Sequence, residues 1–277
     1  MKTNLSKNFR TVLQKDANND YFFFELPFNP FNEFEIKDES LFVNLLINES
    51  KFYSQIIKLK DNKFIIIFNN SFIKKHPEFY DQIELDVQLN LIYKEEKEPS
   101  NIVLKEGQMD VLKAISSRQS IRKFTSQQID KESLELILHA GLCAPTARNR
   151  RPYHFILISD KDVLTQIAAG NKYATMLNTA PHAIVVCGDS NVELLPEFIY
   201  SDCFAATQNI LLAVHGLGLG AVWCGILENS GWKSLIGNLL KLPLNVEPIS
   251  LIVLGHKNEE RELAKHWDPQ KIHFDKW

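Results

Sequence analysis

Arg118-Gln119-Ser120-Ile121-Arg122-Lys123-Phe124 and, one predicted helix later, Ala144-Pro145-Thr146-Ala147-Arg148-Asn149-Arg150-Arg151-Pro152-Tyr153-His154-Phe155 are the two stretches on which the reading of this chain turns. The first sets Arg118 and Arg122 on either side of a small hydroxyl residue, Ser120. It falls between two predicted helices, where main-chain N–H groups are left without intrahelical partners and can bind an anion. Two fixed positive charges, a hydroxyl and a helix end can cradle a phosphate. Alone, the RxSxR pattern reads more readily as a solvated basic turn, because short motifs recur by chance. The second stretch, following at the distance of one amphipathic helix, changes that balance.

Composition bounds the possibilities. The chain has 277 residues, 45% hydrophobic and 23% charged, with a formal net charge of −3. This is the balance of a soluble globular protein, long enough for one large domain or two smaller ones. The charge gives no electrostatic case for nucleic acid or for an anionic membrane. The first residues, MKTNLSKNFR, lack the apolar core of a signal peptide. No apolar run reaches the ~20 residues of a membrane helix. A cytoplasmic protein is expected.

The residues are unevenly distributed. All eleven glycines lie at or after Gly107, and thirteen of the eighteen phenylalanines lie before Pro99. The shift implies two domains, 1–93 and 108–277. The charged run from Lys94 to Ser100 lies in a linker, 94–107. The first half reads as β. Phe22–Leu26, Leu41–Ile47, Phe52–Leu59, Phe64–Phe68 and Ile83–Tyr93 are strand-length runs rich in β-branched and aromatic residues. Ile83, Leu85, Val87, Leu89 and Leu91 alternate with polar residues, as on a half-exposed strand. Five short strands with tight turns suggest a small closed barrel with an aromatic core. Interleaved Lys51, Phe52, Tyr53, Lys58, Lys63 and Phe64 also suit an oligonucleotide-binding barrel. That half carries more acid than base, however, so no nucleic-acid partner is expected.

The second half reads as α+β. Helices are expected at 110–117, 131–143, 161–169 and 198–215, with strands at 155–158, 183–187, 221–224 and 249–254. Asp130 caps the second helix, whose apolar stripe is Leu134, Ile137, Leu138 and Leu142. The 198–215 helix is apolar or small around most of its circumference, and Gly216 is expected to stop it. Strict βαβ alternation is absent, which fits a sandwich of helices on a mixed sheet. Gly216, Gly218 and Gly220 imitate a dinucleotide fingerprint but follow a helix and enter a strand, the reverse of the required order. Cys143, Cys187, Cys203 and Cys224 have no metal spacing and apolar neighbours, so buried free thiols are expected. His182, His215, His256, His266 and His273 likewise form no metal site.

Taken together, RQSIRKF, the helix and APTARNRRPYHF resemble the opening of the FMN-dependent nitroreductase family, and the likeness extends to the C-terminus. The early run from FFFELPF to FIKK is similar to a small β-barrel domain of unknown function. The resemblance implies a nitroreductase-type α/β/α sandwich preceded by a small all-β barrel. It also implies FMN as cofactor and NADH or NADPH as reductant. A nitroaromatic, quinone or similar small molecule would be the acceptor, in a homodimer with FMN at the interface. No catalytic acid or base is required, since the flavin carries the chemistry. On this likeness Arg118, Gln119 and Ser120 belong to the phosphate and ribityl end, and Arg122 faces the N1–O2 edge of the ring. Pro145, Thr146 and Ala147 lie against the ring, and the Asn149 amide meets its polar edge. These last residues would serve the flavin held mainly by the other subunit. Cys224, Gly225 and Ile226 match the strand that approaches N5. Lys265 and His266 stand where the family usually has a phosphate-binding arginine. A flavin dehydrogenase with a specialised substrate and a non-catalytic FMN sensor are the rival readings.

Overall fold

A computed structural model describes residues 5–17, 21–34, 41–48, 50–69, 73–74, 76–91, 109–262 and 268–277. The expected linker, 94–107, lies outside them.

The N-terminal unit is one antiparallel sheet. Its strands are β1 (Ser6–Val12), β2 (Gln14–Lys15), β3 (Tyr21–Glu25), β4 (Leu41–Ile47), β5 (Ser50–Lys58), β6 (Phe64–Asn69) and β7 (Glu84–Leu91). They pair in the order β1-β7-β4-β5-β6-β3-β2. The sheet curls as a half-barrel, so that Thr11 on β1 donates its hydroxyl to the Glu25 carbonyl at the end of β3, 3.0 Å away. Alternation decides which face turns inward. Leu85, Val87 and Leu89 on β7, and Val43, Leu45 and Ile47 on β4, all enter one core with Phe24, Phe52 and Phe68. Asn48 and Asn62 take left-handed backbone in the turns before and after β5, a conformation asparagine tolerates. Two strands, β1 and β2, join the five expected. The hint of a base-stacking surface is not met, because Phe52 and Phe64 are core residues.

The second unit is built on β8 (Tyr153–Ile158), β9 (His182–Asp189), β10 (Gly220–Gly225) and β11 (Val246–Gly255), in the order β10-β11-β9-β8 and antiparallel throughout. A one-turn helix, α1 (Pro30–Glu33), belongs to the first unit. Helices α2 (Val111–Ser117), α3 (Lys131–Leu142), α4 (Lys161–Ala169), α5 (Pro196–Gly216) and α6 (Gly231–Leu239) belong to the second. On one face α4 and α6 pack Leu164, Ile167, Trp232 and Ile236 against the sheet. On the other, α3 and α5 contribute Leu134, Ile137, Ile199 and Ile210. Every residue of β9 is buried, as expected of a strand covered on both faces. The fold is the expected α+β arrangement, a sandwich following an all-β unit.

Side chains set the helix starts. Asp110, Asp130 and Asp160 each accept from main-chain N–H groups of the first turn. At the far end of α5, Gly216 is the last helical residue, and Gly218 instead takes the left-handed turn (φ +78). Two further expectations are corrected. Leu142 is exposed because α3 ends there, and Cys143 is an exposed rather than buried thiol beside His139. The other thiols are free, with Cys187 and Cys203 buried and Cys224 half-buried.

Candidate active site

Main-chain pairing positions the first motif. Arg118 closes α2, its N–H reaching the Ala114 carbonyl at 3.0 Å, and the backbone then extends (φ −59, ψ 132). Ser120 bridges Ala221 in parallel, and Ile121 donates to the Ala221 carbonyl at 2.9 Å. Beyond it, Thr125 donates to His256 and Asn258 donates to Lys123, at 3.0 and 2.9 Å. The segment is thus added to the sheet at β10 and tied to the chain leaving β11. Gly220 permits the approach: a Cβ there would stand 2.8 Å from the Ile121 side chain. Ile121 and Phe124 point into the core, while Arg122 points out.

A cavity of about 700 Å³ opens between this segment, the end of β10 and the 171–176 turn, bounded by Arg122, Asn171, Thr175, Trp223, Cys224 and Gly225. That volume is typical of a cofactor site. Its walls are mixed: aromatic and aliphatic surface with one arginine at the edge. A Cβ on Gly225 would meet no protein atom within 4 Å, so the space beside this strand end is open to a ligand. The Trp223 indole N–H is buried and has no partner among the described residues. Burial pushes the Cys224 thiol up to about 11, against the opposing charge of Arg122. Cys224 is therefore a neutral thiol at pH 7 and not a nucleophile.

Positive charge gathers on the side of α2. The His215 imidazole, bonded to the Ser117 hydroxyl at 2.8 Å, is held below its ordinary pKa by burial and then by Lys257 and Arg118. Arg118 and Lys257 thus both act on the His215 ring beside Ser117. Glu259 balances part of this charge. Its carboxylate accepts the main-chain N–H groups of Arg122 and Lys123, which lower its pKa.

The second motif is held differently. Arg148, Asn149 and Arg151 all have left-handed backbone, with φ of 54, 54 and 53. Each such residue is strained without a compensating anchor. Two buried carboxylates supply anchors. Asp202 on α5 accepts the Ala147 N–H at 3.1 Å, and Glu193 accepts the Arg148 guanidinium at 2.6 and 2.8 Å. Burial raises the Asp202 pKa, opposed by the Ala147 bond. The Thr146 hydroxyl accepts from the Arg151 N–H, and Asn149 Oδ1 accepts from Arg151 Nε.

The structure brings Arg122, Cys224 and Gly225 to one cavity, with Arg118, Gln119 and Ser120 in the segment leading from α2 to Arg122. The Gln119 amide donates to the Glu262 carbonyl at 2.6 Å. Ile226 packs on the core beside the cavity. Pro145, Thr146, Ala147 and Asn149 do not line it. Asn149 instead borders a separate cleft of about 260 Å³ facing Ser54 and Gln55 of β5. Lys265 and His266 lie outside the described residues. Sequence reasoning missed Asn171 and Thr175, which sit in a polar turn with no signature, and Lys257, whose role depends on a long-range neighbour.

No helix among the described residues is long and apolar enough to cross a membrane, and no cluster there could hold a metal. A cation-edged, partly aromatic cavity on an α/β/α sandwich has the form of a small-molecule site. The model of the nitroreductase family matches residues 115–169 and 165–256, and the chain belongs to that family. A protein of Methanothermobacter thermautotrophicus assigned as an NADH dehydrogenase/NAD(P)H nitroreductase is 42% identical over 173 residues, 62% of this chain and 91% of that one. A crystal structure of a similarly described protein from Bacteroides thetaiotaomicron is 36% identical and superposes with a TM-score of 0.58, covering 60% of this chain and 98% of that one. A nitroreductase-type protein from Desulfovibrio desulfuricans, solved in complex with FMN, is 30% identical with a TM-score of 0.55, covering 61% and 99%. The family match begins at residue 115, after the N-terminal sheet.

Proposed function

We propose that this protein is an FMN-dependent NAD(P)H oxidoreductase acting on a nitroaromatic, quinone or similar small acceptor. The cavity where Arg122, Cys224 and Gly225 meet carries the reading, supported by the relatives named above. The residues present fit FMN. Arg118, Ser120 and Lys257 would hold the phosphate, and the open space at Gly225 admits a flat ring against the end of β10. Bound FMN supplies hydride transfer, accepting from NADH or NADPH and donating to the second substrate in ping-pong order. Arg122 holds a fixed positive charge at the cavity edge and stabilises negative charge there. Cys224, kept protonated by burial, does not compete as a nucleophile.

The remaining assignments belong to the same proposal. The chain divides into a β domain at 1–93, a linker at 94–107 and the FMN domain at 108–277. Pro145, Thr146, Ala147 and Asn149 do not line the cavity of their own chain, and in this reading they serve the flavin of a second copy in a homodimer. Large apolar side chains left exposed, among them Leu112, Phe198, Phe204 and Trp277, fit burial by that copy. Free cysteines suit a reducing cytoplasm.

The test is the visible spectrum of the purified chain before and after anaerobic NADPH. A yellow protein that bleaches, then recovers with turnover when acceptor is added, supports the oxidoreductase. Reduction without turnover favours a sensor. A protein that stays colourless after incubation with FMN overturns the reading.

A further inference from the structure

The strand β5 has a half-used edge. Among the described residues, 50–56 pair with β4 on one side, while β6 pairs with Ile57 and Lys58 on the other. The second unit covers what β6 leaves open. Leu244 donates its N–H to the Lys51 carbonyl at 2.9 Å. The Asn245 side chain then meets Tyr53 as a neighbouring strand would. Its Oδ1 accepts the Tyr53 N–H at 2.9 Å, and its Nδ2 donates to the Tyr53 carbonyl at 2.6 Å.

The same amide continues inward. Asn245 Nδ2 donates to Asp189 Oδ1 at 2.8 Å, and that oxygen also accepts the Asn191 N–H at 2.8 Å. Asp189 is fully buried at the end of β9. Its carbonyl accepts the Glu193 N–H at 3.2 Å, which fixes the turn bearing the carboxylate that grips Arg148. Arg148 precedes Asn149, both in left-handed backbone. Contacts of 3.2 Å or less therefore run from the β5 edge to the strained loop. The 260 Å³ cleft, walled by Gln55 and Ile57 on one side and Asn149 and Arg150 on the other, places the two units directly beside each other there.

We propose that docking of the N-terminal sheet positions the 145–149 loop, with Asn245, Asp189 and Glu193 as positioning residues that act through Arg148. The consequence for cofactor affinity rests on the reading that this loop contacts FMN; the mechanical coupling does not. The β domain would then act on the oxidoreductase without touching its chemistry.

Amide hydrogen exchange over 145–151, measured on the full chain without FMN, tests the coupling. Asn245→Ala is expected to speed exchange in this segment roughly tenfold, as local opening does, while leaving strand 182–188 protected. Glu193→Ala is expected to do the same, and the double variant no more than either alone, because one linkage is cut twice. If Asn245→Ala does not fold, the milder Asn245→Ser replaces it in the same series. An unchanged loop in the folded Asn245 variant, or effects that multiply in the double variant, would overturn the proposal. FMN titration of the same proteins then separates the two readings. Weaker FMN binding, about fivefold, in Asn245→Ala extends the coupling to the cofactor. A wild-type chain that takes no FMN defeats the functional reading, while the exchange result still decides the coupling.

Discussion

The two loops that the sequence singles out are held by different physics. Residues 118–125 are fastened to the sheet and the chain leaving it by main-chain bonds at Ile121, Lys123 and Thr125, and none of them has left-handed backbone. Residues 145–151 carry three left-handed positions and depend on side chains, chiefly Asp202, Glu193 and Thr146. The first loop is an extension of the fold and stands or falls with it. The second is expected to loosen while the fold survives. A site that drew on both, as proposed, would have one rigid half and one adjustable half.

The largest expected effect comes from breaking the rigid half. Gly220→Val forces a side chain into the 2.8 Å gap before Ile121 and should cost about 1–3 kcal/mol by overpacking. The check is the urea midpoint, with FMN retention lost in parallel. Glu193→Ala breaks the adjustable half. Arg148 is half-exposed and stays hydrated, so the cost should be smaller, about 1–2 kcal/mol, and FMN should still bind. Equal losses of FMN in the two variants would erase the distinction. Arg118→Ala sharpens it from the ligand's side. Stability should stay within about 0.5 kcal/mol while FMN affinity falls roughly tenfold and becomes less salt-dependent.

The smallest expected effect is a pH dependence. Buried His182 accepts the Ile129 N–H just before α3 and is held below its ordinary pKa of 6.5 by burial. The folded protein keeps this ring neutral, while the unfolded chain takes up a proton as pH falls through 6.5. Acid therefore favours unfolding. Denaturant titrations at stepwise lower pH should show stability declining below about 6.5. The decline should be shallower in a folded His182→Gln variant.

Much of this was legible because local chemistry decided it. Asp130 caps the helix it was expected to cap, Asp110 and Asp160 cap theirs, and the alternation from Leu85 to Leu89 fixes a strand face. β1 was not legible, since Ser6–Val12 is largely polar and none of its residues is fully buried. Helix α6 was hidden by Gly231 and Gly237, which depress helix propensity that packing of Trp232 and Ile236 restores. At the site, RQSIRKF announced its arginines, but the pairing of Ser120 with Ala221 sets where they point. The carboxylates gripping the second loop, Glu193 and Asp202, come from distant sequence and carry no motif. Neither does Asn245, whose partner lies 192 residues away.

The Asn245 contact has a consequence for how the chain can be cut. The Lys51 carbonyl and the Tyr53 N–H and carbonyl lose these partners once 244–245 is removed, and an uncovered strand edge is a template for another copy. A fragment ending after β7 is expected to self-associate in proportion to its concentration, as sedimentation would show, and a lysine in place of Tyr53 should suppress it. The oxidoreductase half thus shields part of its neighbour's strand edge from other copies.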